Sequence, residues 1–397
     1  MEDRKNRIYR VIMLTFITAI ITFMVTSIGM YNYFINTDNG KIESLVKYIE
    51  VSQDSSEIDK KFEVVRKYLD ATYIGEIDTE NMDEYAIKGY VAGLGDEYTE
   101  YLTKSEFEEL MISVEGDYVG IGIYMYQDNS GNIIVLTPIE NSPAEEAGLQ
   151  TEDIILSING ETTLEMNIDE VAAKIKGEEG TTVDLEILRG NETFKKTITR
   201  KKVEIRDSKS EILEGNIGYI QLVTFDEKCT DNVKKYISEF QEKGIKKVIL
   251  DLRDNTGGVV TEAISLSELF IEKDKVVMRT YNKTEDEQIV KSTNSNPLNL
   301  EIVILVNEYS ASATEIFTAA MQDNNIATVV GTKTYGKGVM QEVIPLFEGA
   351  LKVTTEEFKT PNGAKINKEG ITPNIEIEDD EETKEDEQLN EAIEVLK

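Results

Sequence analysis

The chain has 397 residues, of which 40% are hydrophobic, and a formal net charge of -34. This length allows two or three domains with a sizeable core, and the acidic surface repels phosphate backbones, which argues against a nucleic-acid partner. Histidine is absent and Cys229 is the single cysteine. A Ser-His-Asp triad, a Cys-His pair, intramolecular disulfides and metal centres ligated by His or by Cys clusters are therefore excluded, and we expect neither a metal nor a cofactor.

The N-terminus has the pattern of a membrane anchor. Basic residues within residues 1–10 precede residues 11–35, which carry no charge and are long enough to cross a bilayer core at about 1.5 Å rise per residue. Tyr31, Tyr33 and Phe34 at the far end suit a membrane interface. We expect a cytoplasmic N-terminus, a single-pass transmembrane signal anchor in the cell membrane and an extracytoplasmic remainder. A cleaved signal peptide is the alternative, and it gives the same location.

The next two segments differ in periodicity. Residues 41–112 form a predicted N-terminal helical region, in which Phe62, Val65 and Leu69 recur at three- and four-residue spacing on one face. Residues 113–202 contain short β-type runs separated by turn signals, which is typical of a compact β-rich domain.

The last two segments predict an α/β core and a tail. Residues 203–375 alternate apolar strand patterns with helical patterns, which favours an α/β sheet covered by helices. Residues 376–397 begin as an acidic run and then place four apolar residues on one helical face, which predicts a docked terminal helix. These residues are Leu389, Ala392, Ile393 and Leu396.

Two residues of the α/β segment suit a hydrolytic site without histidine. A serine nucleophile then needs another base, and a lysine serves if burial or cationic neighbours lower its pKa. Ser312 follows an apolar strand at the first turn of a predicted helix, where free N–H groups meet a developing oxyanion. Lys337 lies between Gly336 and Gly338, which let the backbone bend. On the pattern alone, an ordinary helix cap is the simpler explanation of Ser312.

Other residues nearby have supporting roles in this hypothesis. Gly257 and Gly258 open a helix after a strand and would supply a backbone N–H to an oxyanion hole, although a tight strand-helix turn explains them as well. Gln341 would orient the lysine amine. Glu315, one turn into the helix, would hold a loop in register. Ordinary surface or packing roles are the alternative for both side chains.

Several stretches resemble the signature of the carboxy-terminal processing peptidases, also called tail-specific proteases. In that family the second Ser of a Ser-Ala-Ser-Ala run is the nucleophile, and the Lys of a Tyr-Gly-Lys-Gly run 25 residues later is the general base. This spacing selects Ser312 over Ser310 and pairs it with Lys337. The similar stretches are residues 309–316, 319–323, 331–338, 251–258, 360–363, 370–374, 88–94 and Tyr98-Thr99.

The resemblance, which runs from about residue 60 to the end, implies roles for individual residues and a fold. The implied fold is a ClpP/crotonase-like α/β peptidase core with an inserted PDZ domain. The implied site residues are the catalytic Ser312, Lys337 and Gln341, the oxyanion-hole residues Gly257, Gly258 and Ala313, and the supporting Glu315 and Asp323.

Residues 114–202 are similar to a PDZ domain of the peptidase type. Such a domain offers backbone N–H groups to a terminal carboxylate while the peptide adds as a strand. We also hypothesise that Arg189 couples the position of this domain to the active site; a plain surface charge is the alternative. The predicted carboxylate-binding loop comprises Tyr118, Val119, Gly120, Ile121, Gly122 and Ile123.

Together these patterns predict a membrane-anchored extracytoplasmic serine endopeptidase that binds exposed C-termini of protein or peptide substrates and works through an acyl-enzyme. A homodimer paired through the terminal helical regions is compatible with the sequence. The alternatives are a catalytically inactive PDZ scaffold on a peptidase fold and a crotonase-type acyl-transfer enzyme. Whether the PDZ domain inhibits or delivers substrate stays open at this point.

Overall fold

The computed structural model describes residues 57–128, 130–164, 166–204, 208–284, 286–378 and 385–397. The predicted cytoplasmic residues and transmembrane anchor lie outside these ranges. No helix within the ranges is long and apolar enough to cross a membrane. The chain forms two compact units, the first ending at Thr79 and the second comprising Glu80–Lys397.

The helices begin and end where the sequence supplies caps. Thr103 and Glu106 form a capping box, in which each satisfies a backbone N–H of the other residue, at the start of the helix that ends before Gly116. Gly116 has a φ of 70°, a left-handed conformation that favours glycine at a helix end. The helices are α1 Glu57–Thr72, α2 Thr79–Ala92, α3 Lys104–Glu115, α4 Pro143–Glu146, α5 Ile168–Ile175, α6 Cys229–Glu242, α7 Val260–Glu268, α8 Ala313–Asp323 and α9 Glu387–Val395.

The strands assemble into separate sheets within the second unit. The strands before position 205 are β1 Glu100–Leu102, β2 Asp117–Gly120, β3 Ile123–Gln127, β4 Ile133–Pro138, β5 Ile154–Ile158, β6 Glu161–Thr162, β7 Thr182–Arg189, β8 Glu192–Thr199 and β9 Lys201–Glu204. The later strands are β10 Ser208–Leu213, β11 Ile217–Leu222, β12 Lys247–Asp251, β13 Val276–Asn282, β14 Glu287–Lys291, β15 Glu301–Val306, β16 Ala327–Gly331, β17 Val339–Leu346, β18 Gly349–Lys359 and β19 Ile375–Glu376.

A mostly parallel sheet forms the centre of the α/β core. Among the described residues its strand order is β10-β11-β12-β15-β16-β19, and only the edge strand β10 runs antiparallel to its neighbour. A second, antiparallel sheet has the order β1-β18-β13-β14, with β17 paired to β18. Because β1 pairs with β18, this second sheet joins the chain just before the β-rich domain to the core.

Both faces of the parallel sheet are covered, which explains why its strands are apolar almost throughout. On one face, alternate residues such as Leu250 and Ile304 pack against α6, α7 and α8. On the other face, Ile249 and Val303 pack against α9 through Ala392. The apolar face predicted for the terminal helix therefore packs on the sheet in the structure.

The β-rich domain is a sheet of order β3-β4-β5-β7-β8 with β6 on β5, joined to the core through the two-stranded ribbon β2-β9. Asp117, at the start of β2, forms ion pairs with Lys202 on β9 and with Lys228 on the core. The N–H of Glu227 donates to the carbonyl of Val114 at 2.8 Å. The domain is therefore held to the core directly at its entry point.

Candidate active site

Ser312 lies at the turn between strand β15 and helix α8, and its backbone is strained. Its φ is 57° and its ψ is -116°, whereas an ordinary N-cap residue has an extended backbone. A positive φ in a residue other than glycine persists only where the surroundings enforce it, and such strain is concentrated at functional sites. The residue is 9% exposed. The strained geometry favours the nucleophile interpretation over a simple cap.

The turn is held by the loop that follows β12. The Ser310 hydroxyl donates to the carbonyl of Leu252 at 2.8 Å, and the N–H of Ala311 donates to the carbonyl of Asn255 at 3.0 Å. The Thr314 hydroxyl also donates to the Asn255 carbonyl at 3.0 Å. Ser310, the alternative serine of the motif, thus has its hydroxyl engaged in a structural hydrogen bond.

The buried carboxylate of Glu315 joins the serine turn to the lysine turn. Its Oε1 accepts hydrogen bonds from the Thr334 hydroxyl at 2.6 Å and from the N–H of Gly336 at 2.8 Å. Its Oε2 accepts from the N–H of Ser312 at 2.9 Å and from the N–H of Lys337 at 2.8 Å. Two donors on one oxygen at such distances lie less than about 6 Å apart. The backbones of Ser312 and Lys337 are therefore adjacent.

These four partners suit the ionised form of Glu315, because a carboxylate only accepts hydrogen bonds and three of the partners are backbone N–H groups, which only donate. Burial raises the pKa of Glu315, and the hydrogen bonds from its four partners oppose that rise. The predicted role of this residue, holding a loop in register, matches the contacts it makes.

The side chain of Lys337 faces an aromatic ring. Its Nζ lies 4.6 Å from the ring centroid of Tyr98. No hydrogen bond joins this amine to the Ser312 hydroxyl among the contacts of the described residues. Burial, followed by the positive charge of Lys352, lowers the pKa of Lys337, while Glu100 and two further carboxylates act in the opposite direction. A lowered pKa is what a lysine needs to act as a base.

The predicted oxyanion hole has one member whose N–H is already engaged. The N–H of Gly257 donates to Asn255 Oδ1 at 2.9 Å. The N–H groups of Gly258 and Ala313 donate to no acceptor within the described ranges. A Cβ built on Gly257 would lie 2.9 Å from the Ser312 Cβ and 3.0 Å from the Ala313 nitrogen, so the glycine turn packs directly against the serine. Among the described residues, Gly258 and Ala313 are thus the predicted donors whose N–H groups have no acceptor in the protein.

Two predicted supporting residues contact other groups. Gln341 Nε2 donates to the Thr354 hydroxyl at 3.3 Å, on the hairpin β17-β18. Asp323 accepts the N–H of Asn362 at 2.9 Å. Asp323 ends helix α8 and lies about 16 Å along the helix axis from Ser312, at the rise of about 1.5 Å per residue. The structure therefore places Gln341 on the hairpin, paired with Thr354, and Asp323 away from the serine.

The predicted carboxylate-binding loop links β2 to β3. The carbonyl of Ile121 accepts the N–H of Ala144 at 2.8 Å, and the carbonyl of Gly122 accepts the Ser142 hydroxyl at 3.0 Å. Gly122 has a φ of 79°, and a Cβ there would lie 2.3 Å from the Ser142 Cβ, so only glycine fits. With these carbonyls engaged inside the domain, N–H groups are the polar groups left for a ligand.

Arg189 makes its contacts within the β-rich domain. Its guanidinium binds both oxygens of the buried Asp153 at 2.6 and 2.7 Å and the carbonyl of Gly148 at 2.9 Å. Its strand, β7, pairs with β5 and β8 of the same domain. A bidentate Arg-carboxylate pair of this kind holds the domain together. The proposed coupling to the active site stays a prediction.

Sequence reasoning missed the role of Tyr98. The residue belongs to one of the stretches that resemble the family signature, but its chemistry gave no reason to place it near Lys337. Burial raises the pKa of Tyr98 to about 12, with Glu97 and Tyr335 adding to the shift. The ring is therefore a neutral phenol at ordinary pH.

Comparisons with known proteins show which families the chain is similar to. A family model described as peptidase family S41 matches residues 216–377, and a PDZ domain model matches residues 134–189. The chain is 36% identical over 346 residues to a "Probable CtpA-like serine protease" of Staphylococcus aureus (strain COL), covering 84% of this chain and 69% of the relative. A relative of the same name in Staphylococcus haemolyticus is 35% identical over 331 residues, covering 82% of this chain and 66% of the relative. The solved photosystem II D1 C-terminal processing protease is 25% identical with a TM-score of 0.48, covering 84% of this chain and 90% of that chain.

Proposed function

This chain belongs to peptidase family S41, and on that premise we propose that it is an endopeptidase whose catalytic dyad is Ser312 and Lys337. The matches to a peptidase S41 model, a PDZ model and CtpA-like serine proteases confirm the family predicted from the motifs. The observation that carries the dyad proposal is the single oxygen, Glu315 Oε2, that accepts the N–H groups of both dyad residues.

In the proposed mechanism, the neutral amine of Lys337 takes the proton of the Ser312 hydroxyl. The Ser312 Oγ attacks the scissile carbonyl, and the N–H groups of Gly258 and Ala313 hold the oxyanion. The protonated lysine then donates its proton to the leaving amine, which leaves an acyl-enzyme. Lys337 next takes a proton from water as the water oxygen attacks the acyl carbonyl, and it returns that proton to Ser312 Oγ as the acyl group is released as a carboxylic acid. Before the first step, the amine has to move from the Tyr98 ring to the serine.

Substrate selection is assigned in this proposal to the PDZ domain. The loop around Gly122 would bind a terminal carboxylate through its N–H groups, and the peptide would add to β3 as a further strand. We extend the proposal to location: the uncharged residues 11–35 anchor the chain in the cell membrane, and the peptidase acts outside the cytoplasm on proteins with exposed C-termini.

An inactive PDZ scaffold is the competing proposal. A peptidase fold that has lost activity is free to lose the groups that hold its site together. Here the four hydrogen bonds to Glu315, the strained Ser312 and the depressed pKa of Lys337 are all present. These features favour the active enzyme.

Recognition of C-termini is testable from the substrate side. The test compares a loosely folded protein that has an apolar C-terminus with the same protein extended by two aspartates. We expect the full chain to cleave the first with a kcat/KM at least about tenfold higher, because the extension removes the contacts to the terminal residues. A tenfold difference corresponds to about 1.4 kcal/mol of binding free energy. Mass spectrometry of the fragments would identify the bonds cut. An unrelated protease that cleaves both substrates equally serves as the control. Equal cleavage by the full chain would contradict recognition of the C-terminus and leave the dyad proposal intact.

The pH dependence tests the base. We expect kcat/KM to rise with pH, because the neutral amine of Lys337 is present above its pKa and is lost as the pH falls through it. Since burial and Lys352 lower that pKa, the rising limb should have its midpoint below the ordinary value for lysine. Replacing Lys352 by glutamine removes a neighbouring cation and should move the limb to higher pH. Lys365→Gln, which removes a lysine paired with Glu357, is the matched control. A flat profile would argue against a lysine base.

A further inference from the structure

The Lys337 side chain lies over the aromatic ring of Tyr98. A cation over the face of a tyrosine ring within about 6 Å of its centroid is attracted by the electron density of the ring. The Lys337 Nζ lies 4.6 Å from the Tyr98 centroid. This attraction acts only on the protonated amine. The ring therefore favours the form of the lysine that is unable to act as a base.

Tyr98 is held in place by neighbours on the chain and on β18. Asp96 Oδ2 accepts the Thr99 hydroxyl at 2.5 Å and the Thr354 hydroxyl at 2.8 Å. The N–H of Thr354 donates to the Thr99 hydroxyl at 3.0 Å. The loop carrying Tyr98 is thus tied on both sides of the ring to the hairpin that follows Lys337. The chain on both sides of Tyr98 is therefore fixed by the fold, which sets where the ring begins.

Charged groups near Lys337 shift its protonation in opposite directions. Burial and Lys352 disfavour the ammonium form of Lys337. The carboxylates of Glu100, Glu315 and Glu97 favour it. The Tyr98 hydroxyl is close to the hydroxyl of Tyr335, from the turn that precedes the lysine. The protonation of Lys337 therefore depends on opposing effects of burial and neighbouring charges. The Tyr98 ring adds a contact that favours the ammonium form and that a non-aromatic residue cannot make.

We propose that Tyr98 is a positioning residue that holds the protonated Lys337 away from Ser312 in a resting state, and that the amine leaves the ring when the site becomes competent. The proposal rests on the proposed function, in which Lys337 is the base. It assigns a restraint on the dyad to the loop of residues 96–99, which comes from the N-terminal helical region and not from the PDZ domain.

Substitutions that separate the ring from the hydroxyl test the proposal. Tyr98→Leu and Tyr98→Met remove the aromatic face, whereas Tyr98→Phe keeps it. We expect kcat of the Leu and Met variants to be about three- to tenfold higher than that of the parent on the rising limb of the pH profile, with the limb moved to lower pH, and the Phe variant to resemble the parent. Unchanged or lower activity in both non-aromatic variants, or a Phe variant that behaves like them, would overturn the proposal.

A second measurement does not depend on turnover. In a full chain carrying Ser312→Ala and ¹³C-labelled lysine, the Lys337 signal is identified by its loss in a Lys337→Met variant and titrated by NMR. We expect Tyr98→Leu to lower the pKa of Lys337 and Tyr98→Phe to leave it unchanged; equal titrations in all three backgrounds would overturn the proposal. If instead Lys337→Ala retained peptidase activity, the base assignment would fail, while the titration would still report whether the ring holds the amine.

Discussion

Replacing Ser312 by alanine is expected to lower kcat for peptide hydrolysis by about 10⁴-fold or more, because the nucleophile is lost and only binding and oxyanion stabilisation remain. Lys337→Ala should have an effect of the same order, since an unactivated serine hydroxyl is a weak nucleophile. The double variant should be little worse than either single variant, because the two residues act as a unit. Cleavage of an internally quenched peptide by the full chain, detergent-solubilised, would measure all three.

The matched control for this experiment is the other serine of the motif. Ser310→Ala removes the hydroxyl that donates to the Leu252 carbonyl and should cost about 1 kcal/mol of stability while retaining kcat within a fewfold. Lys333, on the same turn as Lys337 but exposed and outside the glycine pair, controls for charge as Lys333→Ala. Activity that survives Ser312→Ala but not Ser310→Ala would contradict the assignment of the nucleophile.

Replacing Glu315 by glutamine is expected to lower kcat about 100-fold and to destabilise the fold by about 2 to 4 kcal/mol. Each carboxylate oxygen of Glu315 accepts two hydrogen bonds. In the glutamine variant an NH2 group replaces one of these oxygens, so two donors lose their acceptor and face a group that is itself a donor. The turns that carry Ser312 and Lys337 then lose their common anchor, and displacements of about 1 Å cost such factors in rate. Urea unfolding and steady-state kinetics would measure the two effects.

An exposed carboxylate near the same strand supplies the comparison. Glu308 accepts a hydrogen bond from the Thr332 hydroxyl at 3.1 Å and is solvent-accessible, so Glu308→Gln should change both quantities little. Glu315→Gln with full activity would show that the dyad does not depend on the shared carboxylate. A loss of stability with normal kcat would restrict Glu315 to a folding role.

The carboxylate of Glu315 helps to hold the strained backbone of Ser312 in place. A positive φ at a serine is unfavourable by roughly 1 to 3 kcal/mol, and it persists only where surrounding contacts hold it. The hydrogen bond from the Ser312 N–H to Glu315 is one such contact, and the Gly257 turn packed against the serine side chain is another. Loss of Glu315 should therefore relax the backbone of the nucleophile as well as release the lysine turn.

The two residues of the proposed dyad could be singled out from sequence because their signals are local. Ser312 follows an apolar strand, Lys337 lies between two glycines, and the 25-residue spacing between them matches one family motif. The parallel sheet was also predictable, since strands buried on both faces are apolar without interruption. The same is true of the terminal helix, whose apolar residues share one face.

The oxyanion hole and the lysine environment were not accessible in this way. The sequence offered Gly257 and Gly258 as equal candidates, and the side chain of Asn255 separated them by engaging the N–H of Gly257. The sequence motif assigned Gln341 to the lysine; the structure adds a hydrogen bond from its Nε2 to the Thr354 hydroxyl, and its role in orienting the amine stays a prediction. Both outcomes depend on which side chain reaches which backbone group, and residue type alone does not determine that.

The sequence by itself determined the family and the order of the segments, and it supplied Ser312 and Lys337 as the proposed nucleophile and base, because periodicity and motif spacing are properties of short stretches of chain. Only the tertiary structure decided that Glu315 binds both turns through one carboxylate and that Tyr98 lies under Lys337. Tyr98 comes from the helical region before the PDZ domain, and Lys337 from a turn far along the core. Their contact exists because β1 and β17 both pair with β18, which brings the flanking loops to one place.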